Sequence, residues 1–248
     1  MRKVSVFVAG LLLGSSMLIA SEGGAHWGYG QESGPNHWGD LKPEYSMCKD
    51  GKNQSPINIT SAVESELKDL SLEYPNTATE VINNGHTVQV NFPAGNVLKI
   101  DGKEFELKQF HFHTPSENQI DGKNFPMEAH LVHANKDGAL AVIAVMIDEG
   151  KSNATLDKII NNMPKKAGDK NSLKDSKLNA LDLLPKEKDY YRFSGSLTTP
   201  PCSEGVRWFV LKEPIKASKE QLVSFTNVLG KNNRPVQPLN ARKVLEID

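Results

Sequence analysis

The segments Gln109-Phe110-His111-Phe112-His113 and Glu128-Ala129-His130-Leu131-Val132-His133 decide the fold and carry the chemistry of this chain. Both are predicted to be β-strands. Side chains alternate between the two faces of a strand, so His111 and His113 project to the same face. An antiparallel neighbour can bring His130 within bonding reach of the same ion. Three neutral imidazoles that leave a fourth position for water are typical of a catalytic zinc site. The pattern therefore predicts a zinc ion on these three histidines.

A second interpretation of the same residues is a cupin-type iron or manganese site. His111-Phe112-His113 followed by Glu117 is similar to the first cupin metal motif, in which the glutamate is itself a ligand. The Gly and Pro pattern of the second cupin motif does not follow His130. His133 has the opposite strand parity to His130, so it is expected to face away from the metal, packed or hydrogen-bonded.

Outward from the histidines, most of the sequence has a β pattern. Short apolar or alternating runs are separated by turn glycines. The predicted strands cover residues 87–92, 97–100, 105–113 (with period two throughout), 128–133, 139–147 (buried on both faces) and 206–211.

Helices are expected to be few and small. Ser218 and Gln221 form a capping-box signature, and the apolar residues that follow at helical spacing end at Gly230. Residues 155–163 are predicted as a second helix and residues 164–189 as a loop with at most one helical turn. The fold class predicted is therefore mainly β with small surface helices, in a single domain around one large sheet.

The N-terminal segment predicts that the chain is exported. Arg2 and Lys3 precede an apolar stretch that ends at Ala20, which predicts a signal peptide over residues 1–20 and a mature domain over 21–248. An uncleaved membrane anchor is the alternative, since the stretch is near the short end of a membrane span. A periplasmic or secreted location is expected.

Several further features limit the function. The 248 residues show no linker or repeat, so one domain is favoured. A net charge of -1 with scattered basic residues gives no electrostatic basis for nucleic-acid binding. Cys48 and Cys202, the only cysteines, predict one disulfide in an oxidising compartment, with free thiols or an intermolecular bridge as the alternative.

The segments quoted above resemble those of the α-class carbonic anhydrases, and the resemblance is strongest with compact exported bacterial members. It extends over nearly the whole predicted mature chain. It implies a large, mostly antiparallel twisted central sheet with zinc at the base of a conical cleft. Further matching segments are Gly34-Pro35-Asn36-His37-Trp38, Gln54-Ser55-Pro56-Ile57-Asn58-Ile59, Asn83-Asn84-Gly85-His86, Gly195-Ser196-Leu197-Thr198-Thr199-Pro200-Pro201 and Arg234-Pro235-Val236-Gln237-Pro238-Leu239.

The function that this resemblance implies is the reversible hydration of carbon dioxide to bicarbonate and a proton, by attack of a zinc-held hydroxide. His86 matches the proton shuttle. Thr198 matches the residue that accepts the hydroxide's proton and donates to Glu117. A carbonic-anhydrase-related binding module without catalysis is the alternative, but such modules usually lack a zinc histidine. The implied partners are carbon dioxide and bicarbonate, sulfonamide and anion inhibitors, and a second copy in a homodimer.

The resemblance also implies supporting roles around the zinc. Gln109, Glu128 and the backbone of Asn232 match the acceptors that orient His111, His130 and His113, respectively. Cis peptide bonds are implied before Pro56 and Pro201, and Gln89 replaces an asparagine that often joins Tyr29 and Asn84 in a water network. The substrate-binding positions implied are Thr198, Thr199, Val132, Val142, Leu197 and Trp208.

Overall fold

A computed structural model describes residues 26–247, so the predicted signal peptide at residues 1–20 lies outside the described residues. The strands are β1 Asn58–Ile59, β2 Val63–Ser65, β3 Ser71–Glu73, β4 Glu80–Asn83, β5 Val88–Asn91, β6 Val97–Ile100, β7 Lys103–His113, β8 Gln119–Ile120, β9 Met127–Ala134, β10 Leu140–Glu149, β11 Lys170–Ser172, β12 Tyr190–Ser196, β13 Glu204–Leu211, β14 Ile215–Ala217 and β15 Leu245–Ile247. The α-helices are α1 Trp38–Leu41, α2 Met47–Asp50, α3 Ala154–Ile160 and α4 Lys219–Leu229, and 3-10 helices cover Pro43–Tyr45, Lys174–Ser176 and Ala180–Leu183.

One large mixed sheet dominates the molecule. Its main path runs β11-β4-β5-β7-β9-β10-β13-β12-β15-β2, with β3, β6 and β14 attached beside it, while β1 and β8 form a small separate pair. Within residues 26–247, nine of the thirteen strand pairings are antiparallel and four are parallel. The predicted mainly β architecture with small helices is confirmed.

The two faces of this sheet carry different clusters of buried side chains. Along β10, Ile143 and Val145 belong to the larger core, which α3 and α4 cover with residues such as Leu156 and Phe225. The alternate residues of β10, such as Val142, belong to a smaller cluster on the other face. The prediction that this strand is buried on both faces is confirmed, and the smaller cluster borders the candidate site.

Helix α4 begins where the sequence predicts it. The Gln221 amide donates to Ser218 Oγ at 3.3 Å, and the Ser218 amide donates to Gln221 Oε1 at 3.0 Å, so both bonds of the capping box are present. The loop predicted over residues 164–189 is partly wrong, because it contains β11 and two 3-10 helices. All three residues of β11 are exposed, so no hydrophobic periodicity marks that strand.

The chain ahead of the first strands is tied to the rest by a disulfide between Cys48 and Cys202. The predicted bridge is therefore present. The peptide bonds before Pro56 and Pro201 are cis, as the resemblance implies, and a third cis bond precedes Pro115. Over residues 26–247, no helix combines the length and the apolar character that a bilayer span requires.

Candidate active site

The position of the histidine pair depends on a β-bulge in β7. Phe105 and Leu107 face the larger core, and strict alternation would send His111 and His113 to that same face. The register shifts between Leu107 and Gln109, where Lys108 is an extra residue relative to β9. After the bulge the phenylalanines face the core and the histidines face the cleft. The expectation of unbroken period two over residues 105–113 is therefore wrong.

The three predicted metal ligands converge. One ring nitrogen from each of His111, His113 and His130 lies within 4.8 Å of the other two. His111 pairs directly with His130 across β7 and β9, which explains how two strands build one site. Glu117 is not a member of this group, although its Oε2 lies 3.4 Å from His113 Nε2.

The other nitrogen of each ring lies close to an oxygen atom, which accepts a hydrogen bond from His111 and from His113. Gln109 Oε1 lies 2.9 Å from His111 Nδ1, and the Asn232 carbonyl lies 2.8 Å from His113 Nδ1. Each ring therefore presents its Nε2 to the common centre. Glu128 Oε1 lies 3.0 Å from Nε2 of the third ring, which leaves its Nδ1 for the metal.

Charge and burial at this centre suit a divalent cation. Burial lowers the pKa of His111 and of His130 well below the usual value, so both rings are neutral and have a free lone pair. The buried Nε2 of His113 has no hydrogen-bond partner among the described residues. Three imidazoles, with no fourth protein ligand grouped with them among residues 26–247, fit an open zinc site, and so the residues present fit the metal.

Glu128 is itself held by the segment that carries Glu117. Its Oε2 accepts from the Glu117 amide at 2.6 Å and from the Asn118 amide at 2.9 Å, and its Oε1 accepts from Asn118 Nδ2 at 2.8 Å. Burial raises the pKa of Glu128, and these hydrogen bonds act in the opposite direction. The carboxylate beside His130 is therefore fixed in position.

Glu117 is a fully buried carboxyl beside the metal centre. Burial raises its pKa to about 8, whereas the Arg234 amide and the Thr198 hydroxyl favour the ionised form. The Arg234 amide donates to Glu117 Oε1 at 2.8 Å. A cation at the three histidines would further favour the carboxylate. Sequence reasoning did not identify Arg234 as a support for Glu117.

An apolar wall adjoins the histidines. The four apolar positions among the six that the resemblance implies for substrate lie together in the smaller cluster, with Val142 and Trp208 buried and Val132 and Leu197 at its edge. The Trp208 and His130 rings are 4.9 Å apart in an edge-on arrangement. These side chains present an apolar surface on one side of the three histidines.

His86 lies in the same cleft as the metal ligands. The cleft has a volume of about 150 Å³, and its lining includes His86, His111, His113, Thr199 and Tyr29. Partial burial and the nearby His26 lower the pKa of His86.

Two aromatic side chains that the sequence interpretation missed hold the His86 ring. Trp27 stacks on it with ring centroids 3.7 Å apart and an interplanar angle of 9°. The His26 ring lies 5.1 Å from the His86 ring at 18°. Trp27 is held in turn by edge contacts to Tyr29 and the buried Trp38. The aromatic run at residues 26–29 was the available signal.

Three convergent imidazoles beside an apolar wall and a titratable cleft residue, on a mixed β-sheet, are typical of a metal-dependent enzyme. Residues 33–247 match the family of eukaryotic-type carbonic anhydrases.

Similar proteins cover almost the whole chain. It is 47% identical over 240 residues to the carbonic anhydrase of Pectobacterium atrosepticum, which covers 96% of this chain and 98% of that protein. It is 49% identical over 249 residues to the carbonic anhydrase of Neisseria gonorrhoeae, covering 99% and 98%. The α-carbonic anhydrase of Thermovibrio ammonificans, solved with the inhibitor sulfanilamide, has a TM-score of 0.87 and 54% identity, covering 91% of this chain and 100% of that one.

The chain therefore belongs to the α-class, or eukaryotic-type, carbonic anhydrase family. The enzyme class implied by the sequence resemblance is confirmed, and the cupin interpretation is wrong.

Proposed function

We propose that this chain catalyses the reversible hydration of carbon dioxide to bicarbonate and a proton, at a zinc ion held by His111, His113 and His130. The observation that carries this proposal is the set of three ring nitrogens within 4.8 Å of one another, each ring facing an oxygen acceptor on its far side. When bound to these histidines, zinc would supply a hydroxide near neutral pH, because it would lower the pKa of a coordinated water to about 7, the value known for carbonic anhydrase.

Thr198 and Glu117 set the direction of attack. An ionised carboxylate can only accept hydrogen bonds, so the Thr198 hydroxyl must donate to Glu117 and accept from the nucleophile. The Arg234 amide, at 2.8 Å from Glu117 Oε1, holds the carboxylate in that role. A nucleophile that donates its proton to Thr198 would keep a lone pair free for the substrate, so Thr198 and Glu117 would orient it.

Val132, Val142, Leu197 and Trp208 form the proposed carbon dioxide site. An apolar gas has no hydrogen bonds to lose on leaving water, so a dry wall beside the nucleophile is a sufficient binding surface. Thr199 lines the cleft and is proposed to contact the product bicarbonate.

His86 is proposed to carry the released proton out of the cleft. An imidazole with a pKa near neutrality can accept a proton inside the cleft and pass it to buffer. Gly85, at φ +86°, allows the tight turn that projects the ring beside Trp27. Movement of the ring away from this position requires that it leave the stack.

Export to the periplasm or outside the cell is proposed from the predicted signal peptide and the disulfide between Cys48 and Cys202. Sulfonamide inhibition is proposed because the Thermovibrio ammonificans relative was solved with sulfanilamide.

The test is a stopped-flow pH-indicator assay of carbon dioxide hydration on metal-quantified protein. We expect one zinc per chain, activity that a chelator and sulfanilamide abolish, and loss of zinc in His111→Ala, His113→Ala and His130→Ala. Mass spectrometry of each variant identifies the ligands independently of activity. Protein that retains stoichiometric zinc but has no hydration activity would support the non-catalytic binding module instead.

A further inference from the structure

Polar side chains form a continuous hydrogen-bonded chain along the cleft face of β4 and β5, toward the turn that carries His86. Lys170 Nζ lies 3.2 Å from Glu80 Oε2, and Asn91 Nδ2 donates to Glu80 Oε1 at 2.9 Å. Gln89 Nε2 donates to Asn91 Oδ1 at 2.7 Å. Asn84 Nδ2 donates to Gln89 Oε1 at 3.4 Å.

This hydrogen-bonded chain ends at the backbone of the turn that carries His86. Asn84 Oδ1 accepts from the amides of His86 and Thr87, each at 2.9 Å. On the other side of the turn, Asn232 Nδ2 donates to the His86 carbonyl at 3.0 Å. Asn232 also supplies the carbonyl that faces His113, so the turn is tied to the metal centre on one side and to Glu80 on the other.

Glu80 fixes the direction of every bond in this chain. A carboxylate can only accept, so Asn91 must present its NH₂ to Glu80 and its oxygen to Gln89. Gln89 must then donate to Asn91 and accept from Asn84, which leaves the Asn84 oxygen for the two backbone amides. Hydrogen bonds from Asn91 and then from Lys170 lower the pKa of Glu80, which keeps the carboxylate ionised.

We infer that Glu80, acting through Asn91, Gln89 and Asn84, is a positioning residue for the proton-transfer step at His86. This inference rests on the proposed function, since it assumes that His86 is the shuttle. If the Asn84 side-chain amide is free to rotate, the backbone amides of His86 and Thr87 lose their hydrogen bonds to Asn84 Oδ1. The His86 ring is then no longer held in its stacked position on Trp27. The attack on carbon dioxide does not involve these residues.

The test uses two variants and a matched control in the zinc-loaded protein. Asn91→Leu removes the middle of the chain with little change in volume, and Glu80→Gln removes the acceptor-only end. Glu73→Gln is the control. It also breaks a carboxylate–lysine pair between strands, with Glu73 Oε1 2.8 Å from Lys99 Nζ, but Glu73 lies on β3 and is not part of the hydrogen-bonded chain. The first measurement is hydrogen exchange of the His86 and Thr87 amides by NMR.

We expect Asn91→Leu and Glu80→Gln to speed exchange of those two amides about fivefold, the factor that one ordinary hydrogen bond supplies. In weak buffer, kcat should fall by about the same factor while kcat/KM is unchanged. Imidazole buffer should restore kcat. Adding Glu80→Gln to His86→Ala should cause no further loss, and Glu73→Gln should alter none of these quantities.

Unchanged exchange rates in Asn91→Leu would show that the chain does not hold the turn and would overturn the inference. Faster exchange with an unaffected kcat would reject its role in proton transfer. His86→Ala distinguishes failure of the proposed shuttle from failure of the positioning role. A normal kcat in that variant means that the shuttle proposal has failed and this inference with it. A reduced kcat there, with a normal kcat in Glu80→Gln, rejects only the positioning role.

Discussion

At the scale of single residues, the metal centre shows how neighbours decide what each side chain can do. His111 is half-buried and His133 is fully buried; both lie on central strands, but they have opposite surroundings. His111 presents a free nitrogen to two other histidines, whereas the ring nitrogens of His133 face Tyr74 Oη at 2.5 Å and the Ala141 carbonyl at 3.2 Å. With both of its nitrogens occupied, His133 is a structural residue. The prediction from strand parity is confirmed.

Thr198 and Glu117 are expected to act as a unit. Thr198→Ala removes the acceptor for the nucleophile's proton, and Glu117→Gln removes the acceptor-only character that fixes the direction of the Thr198 hydroxyl. Each should lower kcat/KM on the order of 10²-fold, the effect of a misdirected nucleophile. Stopped-flow hydration assays on zinc-loaded protein measure this.

The double variant provides the check on that coupling. Because both changes destroy the same orientation, Thr198→Ala combined with Glu117→Gln should be little worse than either alone. Multiplied losses would mean that the two residues act independently, which would contradict the proposed direction of hydrogen bonding.

At the scale of elements, the bulge in β7 is the feature on which the site depends. Before Lys108 the odd-numbered side chains of β7 face the larger core, and after it the even-numbered ones do. The histidine pair faces the cleft only because of that one extra residue. The sequence shows two correct alternating patterns, Phe105–Leu107 and Phe110–Phe112, but they are out of phase. That change of phase was the available signal. It was overlooked because residues 105–113 were interpreted as one strand with unbroken alternation.

Deleting Lys108 should therefore invert the strand beyond it. His111 and His113 would face the larger core and the phenylalanines would face the cleft, so zinc binding should be lost together with the native fold. Lys108→Ala keeps the extra backbone residue and should retain zinc, because the Lys108 side chain is exposed and its one ion pair within residues 26–247 is with Glu106. Mass spectrometry for zinc and far-UV circular dichroism separate the two variants. Retention of stoichiometric zinc after the deletion would refute this account of the bulge.

At the scale of the whole molecule, the central strands and α4 were predictable because their side chains show strong periodicity or capping signals. The parts that could not be predicted are held by polar side-chain contacts or by backbone pairing between exposed residues. β11 is wholly exposed, and its pairing with β4 has no hydrophobic signature. The buried Arg234 contacts Gln54, Ser55 and Cys48, all more than 150 positions earlier in the sequence. Contacts of this range come from the completed fold and are not visible in local pattern.

The stability of the whole molecule should depend on pH through His133. Burial lowers its pKa from 6.5 to about 4 in the folded state. The unfolded chain binds a proton to this ring below about pH 6.5, but the folded chain does so only below about pH 4. The neutral ring therefore contributes stability that is fully present above pH 6.5 and is lost as the pH falls toward 4.

A difference of this size corresponds to about 3 kcal/mol of unfolding free energy between those two pH values. Chemical denaturation at each pH measures this free energy. The protein is first treated with a chelator, because metal binding to His111, His113 and His130 would add a pH dependence of its own. In His133→Gln, whose amide can still donate and accept near Tyr74 and Ala141, the free energy of unfolding is expected to be lower at pH 7 but to fall less steeply below pH 6.5. Parallel curves for the two proteins from pH 7 to pH 4 would show that His133 is not the group whose protonation opposes folding.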